Sequence, residues 1–424
     1  MNPINLRPFN ILFLKNLNYF SETNIIKGFL AAFACSIFIY LDFFNINSSI
    51  LNTFFALFGL YMAIKLDKKS LFFMGFFIGV FWFWWIGLSF RFYDLSYLIP
   101  LVILFFGLFY GVLFFITSYF DRFYARFIAL FLLSSFEPFG FNWFKLEIIF
   151  INSYINSSKI SLFLVLALFT LLLALRKKIG FFKLSPLLLI FLLIFNYPKE
   201  PKTLANINVK LTSMNIPQDL KWQQLYKNTL IEENLKEISN AIDEGYDLVV
   251  LPEATFALAL NKSPILLDKL QTLSQDIDII AGGIFYDGEN YNNSTYYFSK
   301  RDMQIANKMV LVPFGEASPL PPKMAQWIND IFYDGAKDFI AASSPSDFEI
   351  KGYKFRNAIC YEATSKELFM DNPDYMIAIS NNAWFTPSIE PTLQKLLMKH
   401  YAKKHNTLIY SVTNGSQSMI ITPY

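Results

Sequence analysis

The pattern of hydrophobic and polar positions changes near residue 200. Before that point apolar residues run in long stretches: Ile25–Leu41, Ile46–Ile64, Leu71–Phe90, Leu95–Phe120, Phe127–Phe141, Ile160–Leu175 and Leu184–Tyr197. A bilayer core about 30 Å thick needs roughly 20 mainly apolar residues at about 1.5 Å each, so the pattern predicts seven membrane helices. The shorter ones would be fitted by flanking aromatics or by local thinning of the bilayer. Glu137 and Pro138 interrupt the fifth. An ionisable residue at membrane depth points to function, whereas the aromatic run from Phe139 to Trp143 reads as an interfacial belt from which a carboxylate reaches water. Both readings of Glu137 stand.

After the linker Pro198–Pro201 the chain alternates short apolar runs with amphipathic stretches. The runs are INVKLTSMN (207–215), YDLVVLP (246–252), IDIIAGGIFY (277–286), STYYFSK (294–300), KMVLVPF (308–314), YKFRNAIC (353–360) and DYMIAISN (374–381). Leu225–Glu244 between them and Pro391–Lys404 after them read as helices. Strands flanked by helices imply a sheet covered on its faces. The expected organisation is a multi-pass helical membrane domain over residues 1–197 followed by an α/β domain over 198–424.

Composition supports this division. The chain of 424 residues is 54% hydrophobic, 19% aromatic and only 16% charged, against about 25% charged in an ordinary soluble domain. Of 36 Lys/Arg and 33 Asp/Glu, the first 200 residues hold 16 and 8, so the first part is basic and the second acidic. The near-neutral total of +3 excludes a nucleic-acid-binding protein and an acidic disordered chain. With the N-terminus inside, the inner loops hold twelve Lys/Arg, Lys68, Arg126 and Lys177 among them, against Arg91, Lys145 and Lys159 outside. Basic residues are retained on the cytoplasmic side, so the domain after Tyr197 is expected outside. Met1–Gly28 lacks the apolar core and small-residue cleavage site of a secretion signal, and the first span is expected to stay in the protein.

Candidate chemistry centres on Cys360. Cys35 lies within the first span and cannot reasonably pair with it, leaving Cys360 a free thiol at the end of a predicted strand. Two more predicted strands deliver Glu253 (in LPEA) and, across a turn, Lys308 and Glu316 (in KMVLVPFGE), and active-site groups of open α/β sheets collect at such ends. A thiol with pKa about 8.5 is only slightly ionised at neutral pH and needs a base. His400 and His405 lie on a helix without a motif and are expected at the surface. Glutamate is therefore the expected base and lysine the expected positive charge.

These residues resemble the Glu-Lys-Cys set of the nitrilase superfamily, and the words around them resemble those of its membrane branch, the apolipoprotein N-acyltransferases. NIPQDLKW (215–222), NNS (292–294), SNNAWF (380–385) and TNG (413–415) extend the likeness. The resemblance implies an α-β-β-α sandwich as the catalytic domain, in a multi-pass protein of the bacterial inner membrane with that domain on the periplasmic side. It implies transfer of a fatty acyl chain from a phospholipid, commonly phosphatidylethanolamine, to the α-amino group of the lipidated N-terminal cysteine of an apolipoprotein. Glu253 would take the thiol proton and later the amine proton, and Cys360 would carry the acyl group as a thioester. Lys308 and the backbone N–H of Tyr361 would stabilise the oxyanion. Glu316, Tyr361 and Glu362 match functional positions of the family; Trp222 matches a tryptophan near the acyl site, and Asn382, Trp384 and Phe385 a pocket lining.

No metal or other cofactor is expected, there being neither a metal-ligand cluster nor a phosphate-cradling glycine loop, and a monomer is expected. The resemblance also implies more sheet and a last membrane helix beyond the TNG strand; the sequence ends at Tyr424 within SMIITPY, so both are expected to be lacking. Two alternatives stay open beside the acyltransferase: a membrane-tethered amidase or nitrilase using the same three residues, and a catalytically inactive lipid- or lipoprotein-binding homologue.

Overall fold

The computed structural model describes residues 21–119, 122–175, 192–197, 200–332 and 337–424. They fall into two units. One lies within Met1–Gly87, Leu98–Ser135 and Ile149–Asn196, the other within Leu88–Tyr97, Phe136–Ile148 and Tyr197–Tyr424.

The first unit is helical: α1 (Glu22–Phe43), α2 (Ser49–Lys65), α3 (Lys68–Phe83), α4 (Ile99–Thr117), α5 (Phe123–Leu133) and α6 (Lys159–Leu175). Asp67 starts α3 by accepting from the backbone N–H groups of Lys69 and Ser70, which satisfies donors that a helix leaves unpaired. Size decides where these helices meet. A Cβ added at Gly75 would lie 2.2 Å from the Tyr110 carbonyl oxygen, and one at Gly79 would lie 2.2 Å from that of Phe106, so α3 packs on α4 with backbones in contact. Trp82 and Ser36 pair inside the bundle: Trp82 Nε1 donates to Ser36 Oγ at 3.0 Å, and Ser36 donates to the Ala32 carbonyl at 2.7 Å.

Three apolar segments of the described residues are long enough to cross a membrane: Glu22–Phe43, Lys68–Tyr93 (α3 with the 3₁₀ turns after it) and Ser96–Thr117. Ser49–Lys65 and Lys159–Ala174 are shorter apolar helices. The fifth expected span, Phe127–Phe141, is not continuous: α5 ends at Leu133, and Pro138, which cannot donate in a helix and disfavours helical backbone at Glu137, keeps the helix from resuming. Most of the seventh, Leu184–Tyr197, lies outside the described residues. Arg126, expected in an inner loop, is instead buried within α5, where Nη1 donates to the carbonyls of Ile64, at 2.6 Å, and Leu66 at the end of α2.

The second unit contains two six-stranded sheets. In the first, β1 (Val209–Leu211), β3 (Leu248–Val250), β5 (Asp278–Tyr286), β6 (Tyr291–Ser299) and β7 (Asp302–Asn307) run in that order, with β4 (Phe256–Ala259) beside β5. In the second the order is β12 (Met419–Ile421), β11 (Leu408–Asn414), β10 (Tyr375–Asn381), β9 (Tyr353–Ile359) and β8 (Asp347–Ile350), with β2 (Ser213–Met214) beside β11. Alternation sorts their side chains. Leu248, Val250 and Ile280 of one sheet meet Ile359, Ile377 and Ile379 of the other in a shared core. Val249, Ile279 and Ala281 face outward with Leu235, Ile238 and Leu270, from α8 (Lys227–Asp243) and α9 (Pro264–Leu273), which follow the short α7 (Gln218–Lys221). Met376 and Ala378 face outward with Met398, Tyr401 and Ala402. Those last three belong to α11 (Glu390–His405), which follows α10 (Pro322–Phe332). The result is the four-layer α-β-β-α sandwich.

One strand differs from expectation. Residues 308–314 form a loop, and the strand before them is β7, so Lys308 follows a strand instead of opening one. Met309 and Val310 give their N–H groups to the Glu362 carboxylate, and Val312 gives its own to Glu316. The apolar run is folded around two acceptors and is not available to a sheet.

Candidate active site

Four strand ends converge on one buried cluster. Glu253 follows β3, Lys308 follows β7, Cys360 follows β9, and Asn381 ends β10. Lys308 is fully buried, and its Nζ lies 2.7 Å from Glu316 Oε2 and 3.8 Å from Glu253 Oε1. Asn293 of β6 joins the two carboxylates, its Nδ2 donating at 2.8 Å to Glu253 Oε1 and at 2.8 Å to Glu316 Oε1. The remaining oxygen of Glu253 accepts from the Asn381 N–H at 2.9 Å. Both carboxylates are thereby aimed at the ammonium.

Cys360 opens a 3₁₀ turn, Cys360–Thr364, directly after β9, with φ of 54°. A residue with a Cβ seldom adopts this left-handed conformation, and such backbone concentrates at functional sites. Glu362 holds the turn: its Oε1 accepts from Ile359 N–H at 2.7 Å, while Oε2 accepts from Met309 and Val310 at 2.9 and 3.1 Å. One buried side chain thus fixes both the cysteine turn and the loop following Lys308. Gln394 of α11 approaches the thiol, with Nε2 3.8 Å from Sγ.

Burial and charge oppose one another here. Burial works against the Lys308 ammonium, but the Glu316 and Glu253 carboxylates overcome it and raise the lysine's pKa. Burial pushes the Cys360 thiol well above its ordinary range and the Glu253 charge adds to this, with Lys308 pulling the other way. The cysteine therefore rests as a thiol and needs a base to become a nucleophile. Burial lifts Glu362 to about 7 against the pull of Lys308 and its three N–H donors.

The other expected residues divide. The Tyr361 side chain faces away from the triad, its hydroxyl accepting from Asn142 N–H and donating to the Gly140 carbonyl, both at 2.9 Å. Its ring stacks with Phe141 and Trp143. Glu137 forms an ion pair with Lys145 at 3.0 Å. Asn382 donates to Ser416 Oγ at 3.0 Å and to Gln394 Oε1 at 3.3 Å. Trp384 stacks on Tyr93, and Phe385 gives its N–H to the Asn382 carbonyl at 3.0 Å. Arg91, Gln218, Ala383 and Thr386 are among the residues lining a cavity of about 340 Å³. Trp222 is half exposed at the end of α7. His400, expected at the surface, is buried at 4% exposure because α11 is buried on more than the face that packs on the second sheet; His405 contacts Asn372 at the end of that helix.

Several contributors were not singled out from the sequence. Lys221 is buried and donates to the Glu253 carbonyl at 2.9 Å, and burial lowers its pKa to about 8 despite the Glu253 charge. Gln218 Oε1 accepts from Asn381 Nδ2 at 2.7 Å. Asn293, Asn381, Gln218 and Lys221 all lie within the recognised words, yet a lone amide or lysine in a short motif carries no sign of its partner. Gln394 carried no signal on the predicted helix Pro391–Lys404, and Glu390 fell one residue before it.

The assembly suits acyl transfer: a base beside a thiol, with a fixed positive charge where an oxyanion would develop. Residues 22–195 match the apolipoprotein N-acyltransferase integral membrane domain, and residues 210–424 match the carbon-nitrogen hydrolase family. The apolipoprotein N-acyltransferase of Wolinella succinogenes is 44% identical over 92% of this chain and 93% of its own length. That of Campylobacter jejuni is 36% identical over 99% and 95%. Among solved structures, a CN-hydrolase superfamily protein from Xanthomonas campestris aligns with 14% identity and a TM-score of 0.38, over 50% of this chain and 77% of its own. Matched over nearly its whole length by these relatives, the chain belongs to the apolipoprotein N-acyltransferase family.

Proposed function

We propose that this membrane acyltransferase moves a fatty acyl chain from a phospholipid to the α-amino group of the lipidated cysteine of apolipoproteins, through a thioester on Cys360. The observation that carries the reading is the Glu253–Lys308–Glu316 cluster, tied by Asn293 and placed beside a cysteine in strained backbone. Glu253 takes the thiol proton as Sγ attacks the sn-1 ester carbonyl. The tetrahedral oxyanion forms near the Lys308 ammonium and the Tyr361 N–H. Collapse breaks the ester C–O bond, and Glu253 returns its proton to the departing lysophospholipid. The acceptor amine then attacks the thioester, and its proton passes through Glu253 to the Cys360 thiolate.

Glu316 orients Lys308, and Glu362 positions the loop and turn that carry Lys308 and Cys360. Trp222, Asn382, Trp384 and Phe385 flank the substrate path, and Tyr361 also anchors the 140–143 segment. In this reading the residues up to 197 form a membrane domain of about seven helices in the bacterial inner membrane. The domain from residue 198 onward faces the periplasm, phosphatidylethanolamine is the donor, and the protein acts as a monomer.

The test uses purified full-length protein with phospholipid vesicles and a diacylglyceryl-cysteinyl peptide. N-acylated peptide and lysophospholipid should appear in equal amounts, and Cys360→Ala should abolish both. Wild-type rates of either half-reaction in that variant would contradict the covalent route. An impermeant thiol reagent applied to spheroplasts should label Cys360 and spare a cysteine introduced at Lys68; the reverse pattern would overturn the orientation.

A further inference from the structure

Glu390 opens α11 and is 1% exposed. Its Oε2 is buried without a hydrogen-bond partner, and among the described residues no cation forms an ion pair with it. A carboxyl so placed is costly unless something supplies the missing partner. It stands one turn before Gln394, also 1% exposed, and residues four apart share a helix face. Gln394 is the residue whose amide reaches Cys360 Sγ. Two members of the triad are electrostatically coupled to Glu390: Glu253 acts on it, and it acts on Cys360. Burial holds its carboxyl well above the ordinary range and the Glu253 charge adds to this, while Glu390 in turn disfavours the Cys360 thiolate.

Resting on the acyltransferase reading above, we infer that Glu390 is the receptor for the acceptor's primary ammonium, the group that must be bound beside the thioester and stripped of a proton before it can attack. An α-amino group with pKa of about 7.7–8.0 reaches the site mostly charged at neutral pH. On binding, the ammonium replaces the carboxyl proton of Glu390, which leaves to solvent, and the helix N-terminus favours the new carboxylate. The ammonium then returns one proton to Glu390, and the neutral amine attacks the thioester carbonyl. The C–N bond forms, the C–S bond breaks, and the second proton passes through Glu253 to the Cys360 sulfur. The cycle ends with Glu390 protonated, Cys360 as thiol and one proton released.

The test compares two nucleophiles on preformed Cys360 thioester in the full-length protein. One is a diacylglyceryl-cysteinyl peptide with a free α-amine; the other is hydroxylamine, uncharged at pH 7.5. In Glu390→Gln the rate ratio of peptide to hydroxylamine should fall about tenfold or more, and Glu390→Asp should restore much of it. A ratio unchanged in Glu390→Gln would overturn the inference, as would loss of both transfers in both variants, which would place Glu390 in the fold. A wild-type protein that formed no thioester would instead overturn the reading on which this rests, and the inference with it.

Discussion

The helical region and the sandwich are both rich in buried residues, but they specify their contacts by opposite means. In the helices nearly every position is apolar, so polarity says little about which face meets which neighbour; Gly75 and Gly79 decide it by admitting the backbone of α4. In the sandwich, alternation assigns each strand residue to a layer, as Leu248 and Val250 face one core while Val249 faces another. Buried charge also behaves differently. Arg126 of α5 ends on backbone carbonyls, whereas Lys308 ends on two carboxylates. The first closes a helix end; the second holds an ammonium with its charge available to a neighbour.

The largest effect should come from breaking the charged cluster while keeping its shape. Glu253→Gln keeps the shape and an acceptor for one of Asn293 and Asn381 but cannot take the thiol proton, and acylation of Cys360 should slow by about 100- to 10,000-fold in a stopped assay of lysophospholipid release. Lys308→Met should cost about 100- to 1,000-fold in the same assay. It should also lower thermal stability, because Glu316 is left buried without its partner. Normal acylation in that variant would move Lys308 into the scaffold.

In the helical region a change of one methyl should be felt where polarity is irrelevant. Gly75→Ala forces α3 from α4, since the new Cβ would meet the Tyr110 carbonyl oxygen. A destabilisation of about 1–3 kcal/mol should appear as a lowered unfolding temperature in detergent, with the acylation rate per folded molecule kept. The smallest effect is a pH dependence. Glu362 is raised from the usual 4.5 to about 7 by burial, so the folded protein holds its proton more tightly than the unfolded chain. The stability this gives is complete below about 4.5 and declines as pH rises to about 7. The unfolding temperature of wild type relative to Glu362→Gln should therefore fall across that window, and a flat difference would exclude the shift.

Much of this was legible in the sequence because alternation and long apolar runs are strong patterns. YDLVVLP contains β3, IDIIAGGIFY contains β5, DYMIAISN contains β10, and the two predicted helices match α8 and α11. The failures share a cause. DMQIAN, the edge strand β7, carries only Met303 and Ile305 as large apolar residues, too short an alternation to stand out, while VLV at 310–312 is apolar but spends its backbone on Glu316 and Glu362. α5 ends at Leu133, and Pro138 bars the rest of what hydropathy alone reads as a span from continuing the helix. At the site, Glu253, Lys308 and Cys360 stood out through their neighbours in sequence. Asn293, Lys221 and Glu390 matter only through neighbours in space, which the linear pattern does not display.

The central claim is a covalent acyl-enzyme, and mass analysis of the Cys360 peptide tests it most directly. Full-length protein incubated with phospholipid vesicles and no acceptor should gain one fatty acyl chain on Cys360, matched by an equal amount of lysophospholipid, and should lose it when the diacylglyceryl-cysteinyl peptide is added. Accumulation of N-acylated peptide while Cys360 stays unmodified, or an acyl chain on any other residue, would contradict the account.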